Sequence, residues 1–347
     1  MNEQIRVGLF SYGMSGRVFH APFLHTDPGF SLKKVMQRRA SDAKERYPYV
    51  EIVKTVEELY QDPEIDLVVV NTPDHTHYAF AKAALEAGKH VVVEKPFVQQ
   101  EEEGLELIEL AAKMKRKLTV YQNRRWEGDF LTIQKILEEK MLGRLVEYEA
   151  HFDRYRNFIR DSWKEKPVNN TGTLYNLGSH LIDQALVLFG LPQAVQADIR
   201  MQRTDALVDD AFDLLLYYPD VRVILRGSYL VREPGPRFRL NGTEGSFVKH
   251  GVDPQEADLQ AGKMPDEPGW GSDSQENWGL LNTDVQGLHF RGQIETLPGC
   301  YQAFYKDLYK AIVHDTEPSV NPSESLNGIR IIRAAFASSQ NKRMVEL

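Results

Sequence analysis

His90-Val-Val-Val-Glu-Lys-Pro-Phe97 is the stretch that decides the fold class. Three consecutive valines have the texture of a strand buried on both faces, as strands of parallel sheets are. Charge arrives only at the carboxyl end, as Glu94 and Lys95, and Pro96 follows. In open α/β sheets ligands bind outside the carboxyl ends of the strands. Lys95 is therefore placed where a reacting hydroxyl or carbonyl would lie. Taken alone, the same residues also fit a strand with a solvated lysine and a turn proline. The flanking sequence favours the site.

Toward the N-terminus, Ile5-Arg-Val-Gly-Leu-Phe10 is a short apolar run, and Ser11-Tyr12-Gly13-Met14-Ser15-Gly16 follows at once. Arg17 to Ala21 then opens a short helix that Pro22 is expected to stop. Strand, glycine turn and helix start are the parts of a dinucleotide site, where backbone N–H groups meet a pyrophosphate. The fingerprint G-x-G-x-x-G is incomplete because Ser11 stands for its first glycine; its place directly after a strand restores weight. The next strand, about Ser31 to Gln37, runs into Arg38 and Arg39, with no Asp or Glu between Phe30 and Ser41. An acidic residue there would accept a ribose 2′-hydroxyl, whereas an arginine accommodates a 2′-phosphate. Arg38 thus points to NADP as the preferred cofactor, with NAD as the other candidate.

Strand and helix patterns alternate as far as Tyr121. Thr55 to Tyr60 is amphipathic with Thr55 as cap, and Asp66 to Asn71 is a second buried strand. Tyr78 to Ala87 is an alanine-rich helix closed by Gly88, and a helix over 101–116 and a strand over 118–121 follow. Such alternation implies a doubly wound parallel sheet. Thr72-Pro73 and Pro96 shape loops beside the nicotinamide, and His77 is expected to order one of them rather than to catalyse. Beyond Tyr121 the texture changes. Strands near 146–154, 194–201, 212–218, 221–230, 238–241 and 246–249 succeed one another with little helix between, which predicts an antiparallel sheet. Residues 251–284 read as long surface loops, and 301–314 and 323–340 as amphipathic helices. The expected architecture is an α/β Rossmann domain, 1–121, followed by a C-terminal α+β domain, 122–347, with a large, mainly antiparallel sheet.

One dense constellation lies in the second part: Gly172-Thr-Leu-Tyr175-Asn176-Leu-Gly-Ser-His180-Leu-Ile-Asp183. If residues 176–189 are helical, Asn176 and His180 are one turn apart on one face, with Asp183 nearby. A histidine beside an amide or carboxylate suits proton transfer. A satisfied histidine in a capped helix is the alternative. Metal binding is disfavoured, since no second histidine or carboxylate stands at ligand spacing.

Composition agrees with a two-domain globular chain. The 347 residues carry 42% hydrophobic residues and a formal net charge of −8, which gives no general attraction to nucleic acid or anionic membrane. The single cysteine, Cys300, excludes an intrachain disulfide framework. No apolar run approaches the ~20 residues of a membrane span, and the start lacks a secretory pattern, so a cytoplasmic location is expected.

Together these residues resemble the glucose–fructose oxidoreductase / inositol dehydrogenase / MocA family of NAD(P)-dependent sugar oxidoreductases. The resemblance rests on Gly13–Gly16, Asn71-Thr72-Pro73 with His77, Glu94-Lys95-Pro96 and the motif ending at His180. Phe19-His-Ala-Pro22, Gln122-Asn123-Arg-Arg-Trp126 and 177–184 look most like the branch with NADP-dependent scyllo-inositol dehydrogenases. It departs at Ser11, where a glycine is usual, and at Asn176, where the family pattern has an aspartate. The resemblance implies an oxidoreductase acting on a small sugar or polyol, usually a homo-oligomer (dimer or tetramer) joined through the C-terminal sheet. It implies cofactor contacts at Ser11 to Gly16, Arg38, Thr72, Pro73, His77, Glu94, Lys95 and Asn123. His180 is then the acid/base, Lys95 polarises the same oxygen and Asn176 orients His180. Tyr155, Arg156, Trp163 and Tyr175 are expected polyol contacts, alongside Lys95, Asn176 and His180. Asn176 keeps open a non-catalytic sensing regulator of the same fold; Arg38 and Arg39 argue against a redox-neutral glycosidase with tightly held NAD.

Overall fold

Short β-branched runs become the strands of a six-stranded sheet in the computed structural model, which describes residues 4–39, 41–168, 170–285 and 287–347. The strands are β1 (Ile5–Leu9), β2 (Phe30–Met36), β3 (Glu51–Val53), β4 (Leu67–Val70), β5 (His90–Val93) and β6 (Leu118–Val120). All are parallel, in the order β3-β2-β1-β4-β5-β6. Leu67 to Val70 and Val91 to Val93 have no exposed surface, as a sheet covered on both faces requires. Strand order reverses between β1 and β4, which makes their carboxyl ends the topological switch point where such sheets bind ligands. The glycine turn follows β1 and Asn71-Thr72-Pro73 follows β4.

Several local expectations change. Pro22 does not stop a helix: a π turn over Gly16–His20 runs into an α-helix, Ala21–Thr26, with Pro22 in its first turn. A proline is tolerated there because its missing N–H would have had no partner. The helix after Thr55 starts only at Glu57, and the cap is the Glu58 carboxylate, accepting the Lys54 and Thr55 N–H groups at 2.9 and 3.0 Å. Gly88, at φ +76°, does close the helix His77–Glu86.

The compact unit built on this sheet is discontinuous in sequence. It holds residues up to Asn123 together with Pro254–Trp270 and Cys300–Leu326. Aromatic packing explains the recruitment: Tyr301 and Tyr305 pack on Phe23, and Phe304 meets Tyr121 edge-on at 4.8 Å.

The second unit comprises Arg124–Asp253, Gly271–Gly299 and Asn327–Leu347. Its strands are β7 (Leu145–His151), β8 (Ala194–Arg200), β9 (Ala211–Tyr217), β10 (Arg222–Ser228), β11 (Phe238–Gly242), β12 (Gly245–Lys249), β13 (Gly279–Val285), β14 (Leu288–Ile294) and β15 (Val345–Glu346). They form one sheet, β14-β13-β12-β11-β7-β10-β9-β8-β15. The sheet is mixed and mostly antiparallel; β7 and β10 are its parallel pair. Tyr148, Leu225, Phe238 and Phe247 fill one face with Leu181 and Ile182 from the helix Ser179–Phe189. The stretch 251–284, expected as loops, contains the helix Gln255–Gln260 and most of β13. Among the described residues, no helix is long and apolar enough to cross a membrane.

Candidate active site

In the first unit, the turn after β1 is built around Gly16. A β-carbon there would lie 2.1 Å from the Ser11 carbonyl oxygen and 2.9 Å from Asn71 Nδ2, so only glycine lets the chain pass. Asn71 donates to that same carbonyl at 2.8 Å, tying the end of β4 to the turn. Ser11 keeps an ordinary negative φ, and its Oγ accepts the Gly13 N–H at 3.2 Å. The serine thus closes the turn that a glycine normally makes. Tyr12 is buried, while Gly13 and Met14 face solvent. Arg38 is exposed beyond the end of β2, next to Gln37, whose side chain braces Asp42 and the Ala43 N–H.

The end of β5 carries a partly buried polar network. Glu94 Oε1 accepts from Ser15 Oγ at 2.5 Å and lies 3.0 Å from His20 Nε2; Glu94 Oε2 accepts the Lys95 N–H at 3.1 Å. His20 has no exposed surface, and its Nδ1 sits 2.6 Å from Tyr305 Oη. Burial pushes the Glu94 carboxyl up, but the hydrogen bond and charge of His20, the Ser15 hydroxyl and the Lys95 charge hold it at about 2. His77 Nδ1 and Nε2 lie 2.8 and 2.9 Å from the carbonyl oxygens of Pro96 and Thr72. That ring joins the two loops with both of its nitrogens. Thr72 Oγ1 meets Thr76 Oγ1 at 2.6 Å, Pro73 is exposed, and Asn123 is buried at the end of this unit.

The second unit holds His180, buried, in the first turn of the helix Ser179–Phe189. Asn176 belongs to a π turn, Leu174–Gly178, so a continuous α-helical register from 176 to 180 does not hold. Asn176 Oδ1 accepts from Lys164 Nζ at 3.2 Å. Asp183, in the same helix as His180, is gripped by Arg125 through two 2.8 Å bonds. The π turn hangs on Asp209, whose Oδ2 accepts the Leu174 N–H at 2.8 Å; burial pushes that carboxyl up to about 6. Tyr155 and Trp163 present exposed rings. Tyr175 is buried and stacked on Phe336 at 5.7 Å. Arg156 is paired with Glu165 at 3.2 Å and lies over the Tyr229 ring.

Residues 5–122 match the NAD-binding Rossmann fold of an oxidoreductase family, and residues 134–347 match that family's C-terminal alpha/beta domain. The chain belongs to the Gfo/Idh/MocA oxidoreductases. It is a dehydrogenase acting on CH–OH groups. Among its relatives, the scyllo-inositol 2-dehydrogenase (NADP(+)) of Bacillus subtilis (strain 168) is 41% identical over 99% of this chain and 96% of its own length. An uncharacterized oxidoreductase of Escherichia coli (strain K12) is 40% identical, covering 99% and 98%. A solved structure from Bacteroides fragilis NCTC 9343 superposes with a TM-score of 0.93 at 50% identity, over 99% of this chain and 100% of the other.

Within this Gfo/Idh/MocA member, three side chains beside the candidate site escape sequence reading. His20 stands in Phe19-His-Ala-Pro22, but its partners Glu94 and Tyr305 are 74 and 285 residues away. Lys164 touches Asn176 across 12 residues of irregular chain. No periodicity links such pairs, so only the fold brings them together.

Proposed function

We propose that this oxidoreductase transfers hydride between a nicotinamide, NADP in preference to NAD, and a ring carbinol or ketone of an inositol-like cyclitol or sugar. The cradle at Ser11–Gly16 carries the cofactor part: a switch-point turn whose Gly16 leaves no room for a β-carbon is a place where backbone can approach a pyrophosphate. The likeness to an NADP-dependent scyllo-inositol dehydrogenase supports the substrate class. Ser11 to Gly16 would hold the pyrophosphate and Arg38 the 2′-phosphate, with Thr72, Pro73, Glu94 and Asn123 around the rest of the cofactor and His77 ordering its loops. When bound, the nicotinamide supplies the two-electron acceptor or donor. His180 takes the hydroxyl proton in oxidation and returns it in reduction, because a protonated carbonyl is a poor product. Lys95 polarises the same oxygen by charge and hydrogen bonding. Asn176 orients His180, and Tyr155 and Trp163 offer flat faces to the polyol.

A screen of polyols and keto-sugars against both cofactors tests the substrate class. For the cofactor, Arg38→Ala is expected to weaken NADPH binding by about 10-fold or more, the worth of a charge-assisted phosphate contact, and to leave NADH little changed. Equal losses for both, or tighter NADH binding by the wild type, would contradict it. We also infer that copies associate as dimers or tetramers through the open face of the nine-stranded sheet, where Leu215, Ile224 and Val248 are only half-buried. Light scattering that returns a monomer at working concentration would refute that.

A further inference from the structure

We propose that His20 and Tyr305 are positioning residues that lock the Glu94 carboxylate between the pyrophosphate loop and Lys95, so that cofactor grip and lysine placement share one buried anchor. The inference rests on the cofactor reading above. Its basis is connectivity. Ser15 lies in the glycine turn, Glu94 ends β5 and Lys95 follows it; one carboxylate accepts from the Ser15 hydroxyl and the Lys95 N–H. A buried carboxylate needs donors to stay charged, and His20 is the donor from behind. A carboxylate only accepts, so the imidazole proton that faces Glu94 is on Nε2. The Tyr305 hydroxyl, 2.6 Å from Nδ1, holds the ring in that orientation. Tyr305 meets the His20 ring from a segment 285 residues distant.

His20, Lys95, Tyr121 and Tyr305 are the titratable groups that face Glu94. Both tyrosine hydroxyls are pushed up by burial, so they remain neutral at ordinary pH. Without the imidazole, burial is opposed by less, and the Glu94 carboxyl moves up toward the assay range. Protonation would then cost it an acceptor and loosen Ser15.

The test is NADPH affinity by fluorescence titration from pH 5 to 8, with KM and kcat, on the full-length protein. Each variant is read as its Kd ratio to the wild type, which cancels titration of the ligand's own phosphate. His20→Leu is expected to raise that ratio about 10-fold or more at pH 6 and less at pH 8, the loss of a charge-assisted bond. His20→Gln, whose amide can donate to Glu94, is expected to recover most of it. Tyr305→Phe deletes one hydroxyl and should shift the ratio in the same direction by less; it carries the test should His20→Leu not fold. A ratio that is flat with pH, or a Gln variant as weak as Leu, overturns the anchor while leaving the cofactor reading intact. A wild type that binds neither NADPH nor NADH overturns the cofactor reading and this role with it.

Discussion

At the scale of single residues, Lys95 and Asn176 make opposite kinds of prediction. Lys95 follows the β5 strand end, and in the proposed mechanism its charge acts on the substrate oxygen rather than on the adenine end of the cofactor. Lys95→Ala should therefore lower kcat by at least ~10²-fold, the range for loss of one preorganised donor, with NADPH affinity nearly unchanged. A variant turning over near the wild-type rate would take Lys95 out of the mechanism. Asn176 depends on its neighbour. An aspartate would stabilise protonated His180 by charge, but here Lys164 Nζ sits 3.2 Å from Asn176 Oδ1 and would claim that charge first. Asn176→Asp alone should move the His180-governed limb of the pH–rate profile upward only slightly. Asn176→Asp with Lys164→Met should move it further. Equal shifts in both would exclude competition by Lys164. Sequence made Lys95, His180 and Asn176 legible because each stands in a short motif at an element end. It gave no sign of Lys164, which reaches Asn176 from a 3-10 turn, Trp163–Glu165.

At the scale of elements, the two π turns share a property: one follows the glycine loop and the other leads into His180. Wide turns of this type concentrate at functional sites because they re-aim side chains without ending the helix. The second is held by a tight pair. Gly172 has φ +100°, and a β-carbon on it would stand 1.9 Å from Asp209 Oδ1. Gly172→Ala should thus cost at least ~1–2 kcal/mol in backbone strain and displace Asp209 from the Leu174 N–H, lowering both Tm and kcat; an unchanged Tm would contradict this. Asp209 also ties this turn to pH. Its folded carboxyl is pushed by burial to about 6, above the unfolded value of about 3.9, so the folded state binds the proton more tightly. Stability from this group is present below pH ~4, is lost as pH rises toward 6 and stays lost above, by up to ~3 kcal/mol. Asp209→Asn should flatten the fall of Tm between pH 4 and 6; parallel curves for variant and wild type would sink the assignment. The π turns were illegible for a physical reason: Leu-Tyr-Asn-Leu-Gly has the same apolar spacing whether wound as α or π. Strands failed to show where exposure erased alternation, as in β14, most of whose residues face solvent.

At the scale of the whole molecule, the fold class was readable because buried valine runs alternate with helices, and the change to a β-rich texture after Tyr121 marked a second unit. The discontinuity of the first unit was not readable. Nothing in 300–326 says that its aromatic side belongs with β1–β6 rather than with the strands just before it. The packing decides. Tyr301, Phe304 and Tyr305 are almost wholly buried, and Thr119 Oγ1 donates to the Val320 carbonyl at 2.8 Å. Aromatic side chains bury about 150–250 Å² each. At about 25 cal/mol/Å² three of them represent, as an upper bound, ~11–19 kcal/mol. That is comparable to the ~5–15 kcal/mol by which a domain is normally stable. A fragment of residues 1–123 should therefore not fold alone, despite containing every strand of its sheet. It should show weak near-ultraviolet dichroism, bind a hydrophobic dye and lack a cooperative thermal transition. Adding residues 300–326 through a flexible linker should restore a cooperative transition, because it returns the three rings and the Tyr305 partner of His20. A cooperative melt from the 1–123 fragment alone would mean that the later segments decorate this unit rather than complete it.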